Sequence, residues 1–202
     1  MGTDRFGLLT ICWMISGYFS LLDFGIGRAL TQKIAGTVSQ TDNKSVADLI
    51  KNALISSALI SLFLMLLLLG LSTVLIDNVL HVNSELRNEA LISFVILSFS
   101  LPLMIGAASL RGVLESIQRF DLVNVVRVPT STLSFLFPLI TLMFSNQLQW
   151  VLLTLVFFRA VTFFFYWFFC IRIFPSLGRL NTFKSSIKMT QIKALFKSGG
   201  WM

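Results

Sequence analysis

The chain has 202 residues, of which 55% are apolar and only 12% charged, with a mean hydropathy of +0.84. Globular domains carry about 25% charged residues, and a water-soluble core could not bury this much apolar surface, so an ordinary soluble domain is excluded and the bilayer is the natural solvent. The net charge of +7 does not point to nucleic acid, because the bases fall between apolar runs, where they report membrane topology.

The first apolar run, Gly7 to Leu30, carries charges near its far end, in "SGYFSLLDFGIGRALTQK". No small-residue cleavage site follows it, so it is not a cleavable signal. Ser16, Ser20, Asp23, Gly27 and Thr31 recur at steps of four, three, four and four, which is one helical stripe. Asp23 and Arg28 are five residues apart, about 140° around a helix, so they do not share a face. The second run, Leu49 to Ile76, is rich in leucine, shows no polar stripe and reads as a lipid-facing wall. The third, Leu91 to Leu110, has a short stripe of Ser98, Pro102, Gly106 and Ser109. In the fourth, Leu122 to Ser145, the stripe is Arg127, Ser131, Ser134, Pro138, Thr141 and Ser145. The fifth, Leu148 to Ile173, places Arg159, Thr162 and Tyr166 at i, i+3 and i+7. Each run reaches the roughly 20 residues that a spanning helix needs, and barrel strands would be shorter and alternating. The expected fold is all-α, a polytopic membrane bundle of about five transmembrane helices over residues 1–176.

Residues 177–202 read as a basic connector followed, at "ALFKSGGWM", by the start of a further helix. Ile187, Ile192, Leu195 and Phe196 alternate there with Lys184, Lys188, Lys193 and Lys197. The pattern suits an interfacial helix on an anionic leaflet or a plain basic connector. Of the Lys and Arg that bear on topology, twelve fall on one side of the membrane and two, Arg5 and Arg87, on the other, so the basic loops are cytoplasmic. Arg111 and Arg119 are assigned to the third loop of the chain, one of the basic ones. Five spans then put Met1 outside with no signal to export it, and the expectation is a fragment with one helix missing before it and more behind.

Four of the five runs thus offer a polar face. Either they share a hydrophilic cavity or their small residues let helices pack closely; four stripes, two with Arg and one with Asp, favour the cavity. Arg159 is the sharpest residue. It lies about 15 Å from either interface, too far to snorkel, and a central Arg costs about 3 kcal/mol on insertion scales. It must meet an acid, water or an anionic substrate. Asp23 is the only acid inside a span and is the default partner, a purely structural pair being the plain alternative. Pro102, Pro129 and Pro138 are candidate kink points. No phosphate-binding loop exists, so the chain does not hydrolyse ATP. His81 lies in an external loop, no catalytic triad or carboxylate pair is credible, and Cys12 and Cys170 fall towards opposite faces, against both a disulfide and a zinc site. No catalytic residue, metal or cofactor is expected.

The stretch "RFGLLTICWMISGYFSLLDFGIGRALTQKIA", Arg5 to Ala35, resembles the second-helix region of bacterial polysaccharide flippases, the O-antigen-type exporters of lipid-linked oligosaccharides in the multidrug/oligosaccharidyl-lipid/polysaccharide superfamily. The family pairs an "FG" before this helix with a "D-x-G-x-x-R" at its cytoplasmic end, here Phe6–Gly7 and Asp23, Gly25 and Arg28. "ASLRGVLESIQRFDLVNVVRV" is similar to the family's stretch between its fourth and fifth helices, and "FKSGGWM" to the opening of its seventh. The resemblance implies helices two to six of a first six-helix lobe, in a transporter whose two lobes open alternately to either side. It implies an undecaprenyl-diphosphate-linked sugar repeat as substrate, moved across the bacterial inner membrane for surface polysaccharide synthesis and driven by ion gradients. Partners would be membrane lipids, a polysaccharide polymerase and glycosyltransferases. Asp23, Arg28, Arg127, Arg159 and Tyr166 are the cavity candidates; Arg28, near the cytoplasmic interface, would either stabilise the helix C-terminus or meet lipid diphosphate at the entrance. The chain departs from the family in lacking the second lobe. The alternatives are an inactive remnant or assembly subunit, a cation-coupled drug exporter of the same superfamily, or a membrane-embedded glycosyltransferase or polymerase. The drug exporter would want an apolar, acidic cavity; the enzyme would want a substantial external loop.

Overall fold

A computed structural model of the chain describes residues 3–21, 43–80, 84–144 and 147–175. They form helices α1 (Thr3–Leu21), α2 (Asn43–Val74), α3 (Ser84–Ser116), α4 (Phe120–Phe144) and α5 (Leu148–Ile173), with no strand among the described residues. Within them, Ile50–Asn78, Leu86–Ser116, Phe120–Met143 and Leu148–Ile173 are each long and apolar enough to cross a membrane. At about 1.5 Å per residue all four exceed the roughly 30 Å hydrocarbon layer. The chain is therefore a multi-pass membrane protein built as an all-α bundle. In α1 the described apolar stretch is the shorter Phe6–Ile15; Asp23, Arg28 and the rest of the first predicted run lie outside the described residues, as do His81 and the basic connector.

α3 is the hub. It packs extensively on α2 and α5, touches α1 and α4, and buries half of its most apolar window, against 11% for α4. Its length corrects the sequence reading. The helix extends beyond Leu91–Leu110 at both ends, and Arg111, assigned above to a loop, lies inside it. No proline falls between Leu110 and Ser116 to break the helix, and the arginine only marks where the helix leaves the apolar layer.

Local chemistry explains the ends. α3 stops in a Schellman turn: Arg119 N–H donates to Leu114 O at 3.0 Å and Gln118 N–H to Glu115 O at 3.0 Å. This places Gln118 in the left-handed position, φ 58°, that glycine usually fills. α5 ends before Pro175, whose ring pushes Phe174 out of helical geometry, to φ −118° and ψ 80°. At its start the N-cap residue Gln147 makes no side-chain cap; instead Glu89 Oε1 of α3 accepts the Leu148 N–H at 2.6 Å. α2 closes through a π-helical turn, Leu75–Val79, followed by a bidentate pair in which Arg87 Nε and Nη2 donate to the Asp77 carboxylate at 2.8 and 2.7 Å.

The apolar interior falls into two clusters. One gathers Leu9, Leu68, Phe94, Leu97, Leu101, Ile105 and Val151. The other gathers Ile50, Ala53, Ala107, Leu110, Val113, Val126, Tyr166 and Cys170. α3 supplies both, and they meet along it between Ile105 and Ala107. Large side chains such as Leu62, Phe63 and Leu66 on α2, Leu139 on α4, and Phe164, Phe165 and Phe168 on α5 are exposed, as lipid-facing surfaces are. α2 is nevertheless not only wall. Ser57, Ser61 and Ser72 are buried, and each donates to a carbonyl three residues back. They form a small-residue packing face that the sequence reading missed.

Candidate functional site

Between the two clusters lies a half-open cavity of about 460 Å³, lined by Trp13 of α1, residues 103–111 of α3, residues 127–135 of α4 and residues 155–166 of α5. Its polar groups are Arg111, Arg127, Thr130, Ser131, Ser134, Arg159, Thr162 and Tyr166. Trp13 meets Phe135 edge to face, ring centroids 6.4 Å apart, so α1 and α4 close one wall with aromatic rings.

Helical register positions these groups. On α4, Arg127, Thr130, Ser131 and Ser134 follow i, i+3, i+4 and i+7 and so share a face. The hydroxyls of Thr130, Ser131 and Ser134 also donate back to carbonyls of their own helix, at 2.6, 3.1 and 2.7 Å. That satisfies their protons and leaves oxygen lone pairs for a ligand. On α5, Arg159, Thr162 and Tyr166 share a face in the same way.

Arg159 is the twelfth of the 26 residues of α5 and hence central in the membrane. Its Nη1 donates to Ser100 Oγ of α3 at 2.5 Å, and Ser100 donates onward to Leu97 O at 2.6 Å. Among the described residues no carboxylate pairs with it. The expected partner, Asp23, lies outside the described residues. Arg111 stands eleven residues beyond Ser100 on α3, about 16 Å along the axis. Its Nε is buried without a hydrogen bond, 3.4 Å from Glu115 Oε1 one turn on. Arg127 faces it from α4. Tyr166 is buried in the field of both arginines, and its hydroxyl reaches Val123 O at 3.4 Å. The positive charge is thus arranged in two levels. One, at the basic end, holds Arg111 and Arg127; the other, at mid-membrane, holds Arg159. Among the described residues no Asp or Glu lines the cavity.

The structure brings together Arg127, Ser131, Ser134, Arg159, Thr162 and Tyr166, as the stripes of the fourth and fifth runs suggest. The third-run stripe behaves otherwise. Ser98 and Ser109 are buried and bonded within α3, and Gly106 packs against Phe163, where an added Cβ would lie 2.7 Å from Cε2. That stripe is a packing face. Pro138 is likewise buried, and Thr141 meets Thr154 of α5 at 3.2 Å, outside the cavity. The sequence reading missed Arg111 and Ser100. A readable signal existed: Ser100, Met104, Ala107 and Arg111 fall at i, i+4, i+7 and i+11 on one face of α3. Set against protein-family models, characterised proteins and solved structures, the chain matches none of them.

Proposed function

We propose that the chain forms part of the pathway of a transporter in the bacterial inner membrane that moves a lipid-linked, diphosphate-bearing oligosaccharide between leaflets. The observation that carries this reading is one membrane-depth cavity lined by guanidinium groups from three helices, Arg111, Arg127 and Arg159, with no carboxylate among the described lining residues. Arginine presents a planar fork that grips phosphate oxygens bidentately. The Ser, Thr and Tyr hydroxyls suit the hydrogen bonds of sugars, and the volume falls within the roughly 300–1,000 Å³ of small-molecule sites. The resemblance in Arg5 to Ala35 supports the same substrate class. A drug exporter for cations would want acids where this cavity has bases.

The test is reconstitution of the chain in liposomes with a fluorescent polyprenyl-diphosphate oligosaccharide, following the accessibility of the label to a membrane-impermeant quencher. Protein-containing vesicles should expose the inner-leaflet label faster than empty ones. The double variant Arg127→Leu, Arg159→Leu should slow exposure about tenfold or more, since a charge-assisted hydrogen bond is worth about 1.5–3 kcal/mol. Rates equal to empty vesicles, or preferential movement of a cationic dye, would overturn the reading.

A further inference from the structure

We infer that Ser100 is the positioning residue that orients Arg159, which has no carboxylate partner among the described residues, at the centre of the membrane, and that a hydroxyl rather than an acid at position 100 sets the preference of the cavity for anions. This rests on reading the cavity as an anion site. Ser100 is fully buried. Its single proton is committed to Leu97 O, 2.6 Å away, so its oxygen faces Arg159 as an acceptor only. An arginine side chain has donors only. The direction of the 2.5 Å hydrogen bond between them is therefore fixed, and donation to Leu97 O polarises the oxygen in favour of accepting. The bond uses one of the roughly five guanidinium N–H groups and leaves the others to the cavity that Arg159 lines. A serine dipole orients the guanidinium without cancelling it. A carboxylate at the same position would take two N–H groups in a fork and neutralise the charge. Arg111 lies eleven residues, about 16 Å, beyond Ser100 along α3, so it does not restore the charge at this level.

The inference is tested on the full chain in lipid nanodiscs, titrated calorimetrically with inorganic pyrophosphate. Ser100→Thr keeps the oxygen and should bind like the parent. Ser100→Ala should bind about tenfold more weakly with little change in melting temperature. Ser100→Asp should show no measurable binding. A merely structural serine would behave differently, with Ser100→Ala lowering the melting temperature and leaving affinity unchanged. Parent-like affinity in Ser100→Ala, retained binding in Ser100→Asp, or no pyrophosphate binding by the parent would each overturn the inference. Flipping assayed on the same preparations separates the two ideas. The binding pattern without flipping removes the transport reading and leaves Ser100 in its role. Flipping with a Ser100→Ala affinity equal to the parent does the reverse.

Discussion

Gln118 joins the two helices that carry Arg111 and Arg127, and it does so in a backbone conformation costly for a residue with a Cβ. Its φ of 58° is the only positive value at a non-glycine position among the described residues. The left-handed region costs an L-residue about 1–2 kcal/mol, because Cβ crowds the following carbonyl. The Schellman hydrogen bonds from Gln118 and Arg119 hold it there. Gln118→Gly should therefore raise stability by up to about 1 kcal/mol, the relief of strain being partly offset by the greater freedom of glycine in the unfolded chain. Gln118→Val should lower it, since a branched Cβ worsens the clash. Thermal unfolding in detergent reads both, and a Gly variant less stable than the parent would show that the strain argument is wrong. Residue by residue, legibility in the sequence followed the cost of misplacement. Arg159 stood out because a charge at mid-span is costly and must meet a partner, water or a ligand. Arg111 did not, because an arginine at the end of an apolar run is ordinary topology and hydropathy cannot tell a helix that ends there from one that continues.

At the scale of the element, the cavity depends on how α5 is held, since α5 carries Arg159, Thr162 and Tyr166 on one face. Its N-cap residue gives the first turn no side-chain acceptor. Glu89 supplies one from α3 and brings negative charge to the positive end of the helix dipole. Loss of an N-cap costs about 1 kcal/mol, and the dipole interaction adds about 0.3–1 kcal/mol. Glu89→Ala should thus lower stability by about 1–2 kcal/mol, while Glu89→Gln, which keeps an acceptor and removes the charge, should lower it by less than half of that. Chemical denaturation in mixed micelles checks the ratio; equal effects would mean that the charge, and not the hydrogen bond, carries the interaction. The nearby Asp77–Arg87 pair is largely open to solvent, so little stability is expected of it despite its good geometry. Among the described residues, the helical type and rough position of each element could be read from apolar run length alone. The faces could not. A serine that bonds back to its own helix and packs against a neighbour, as Ser98 and Ser109 do, has the same periodicity as one that opens onto a cavity.

For the molecule as a whole, the distribution of charge predicts a direction. Arg111, Arg119, Arg127 and Arg172, with Glu115 and Asp121 beside them, lie at one end of the described bundle, where α3 passes into α4 and α5 finishes; Asp77, Arg87, Glu89 and the start of α5 lie at the other. The rule that basic residues are retained on the cytoplasmic side predicts that the cavity level with Arg111 and Arg127 is the cytoplasmic one, with Arg159 deeper. A diphosphate entering from the inner leaflet would meet two arginines first and the Ser100-held arginine second. The orientation is tested with Cys12 and Cys170, both buried and unbridged, replaced by alanine, and single cysteines placed at the exposed positions Gln118 and Gln147. In intact cells a membrane-impermeant maleimide should label the Gln147→Cys chain at once and the Gln118→Cys chain only after permeabilisation. The opposite pattern would put the double-arginine level on the outer face. The cavity would then be built to receive an anion from outside, and the same residues would argue for uptake or retrieval of a lipid-linked anion instead of its export.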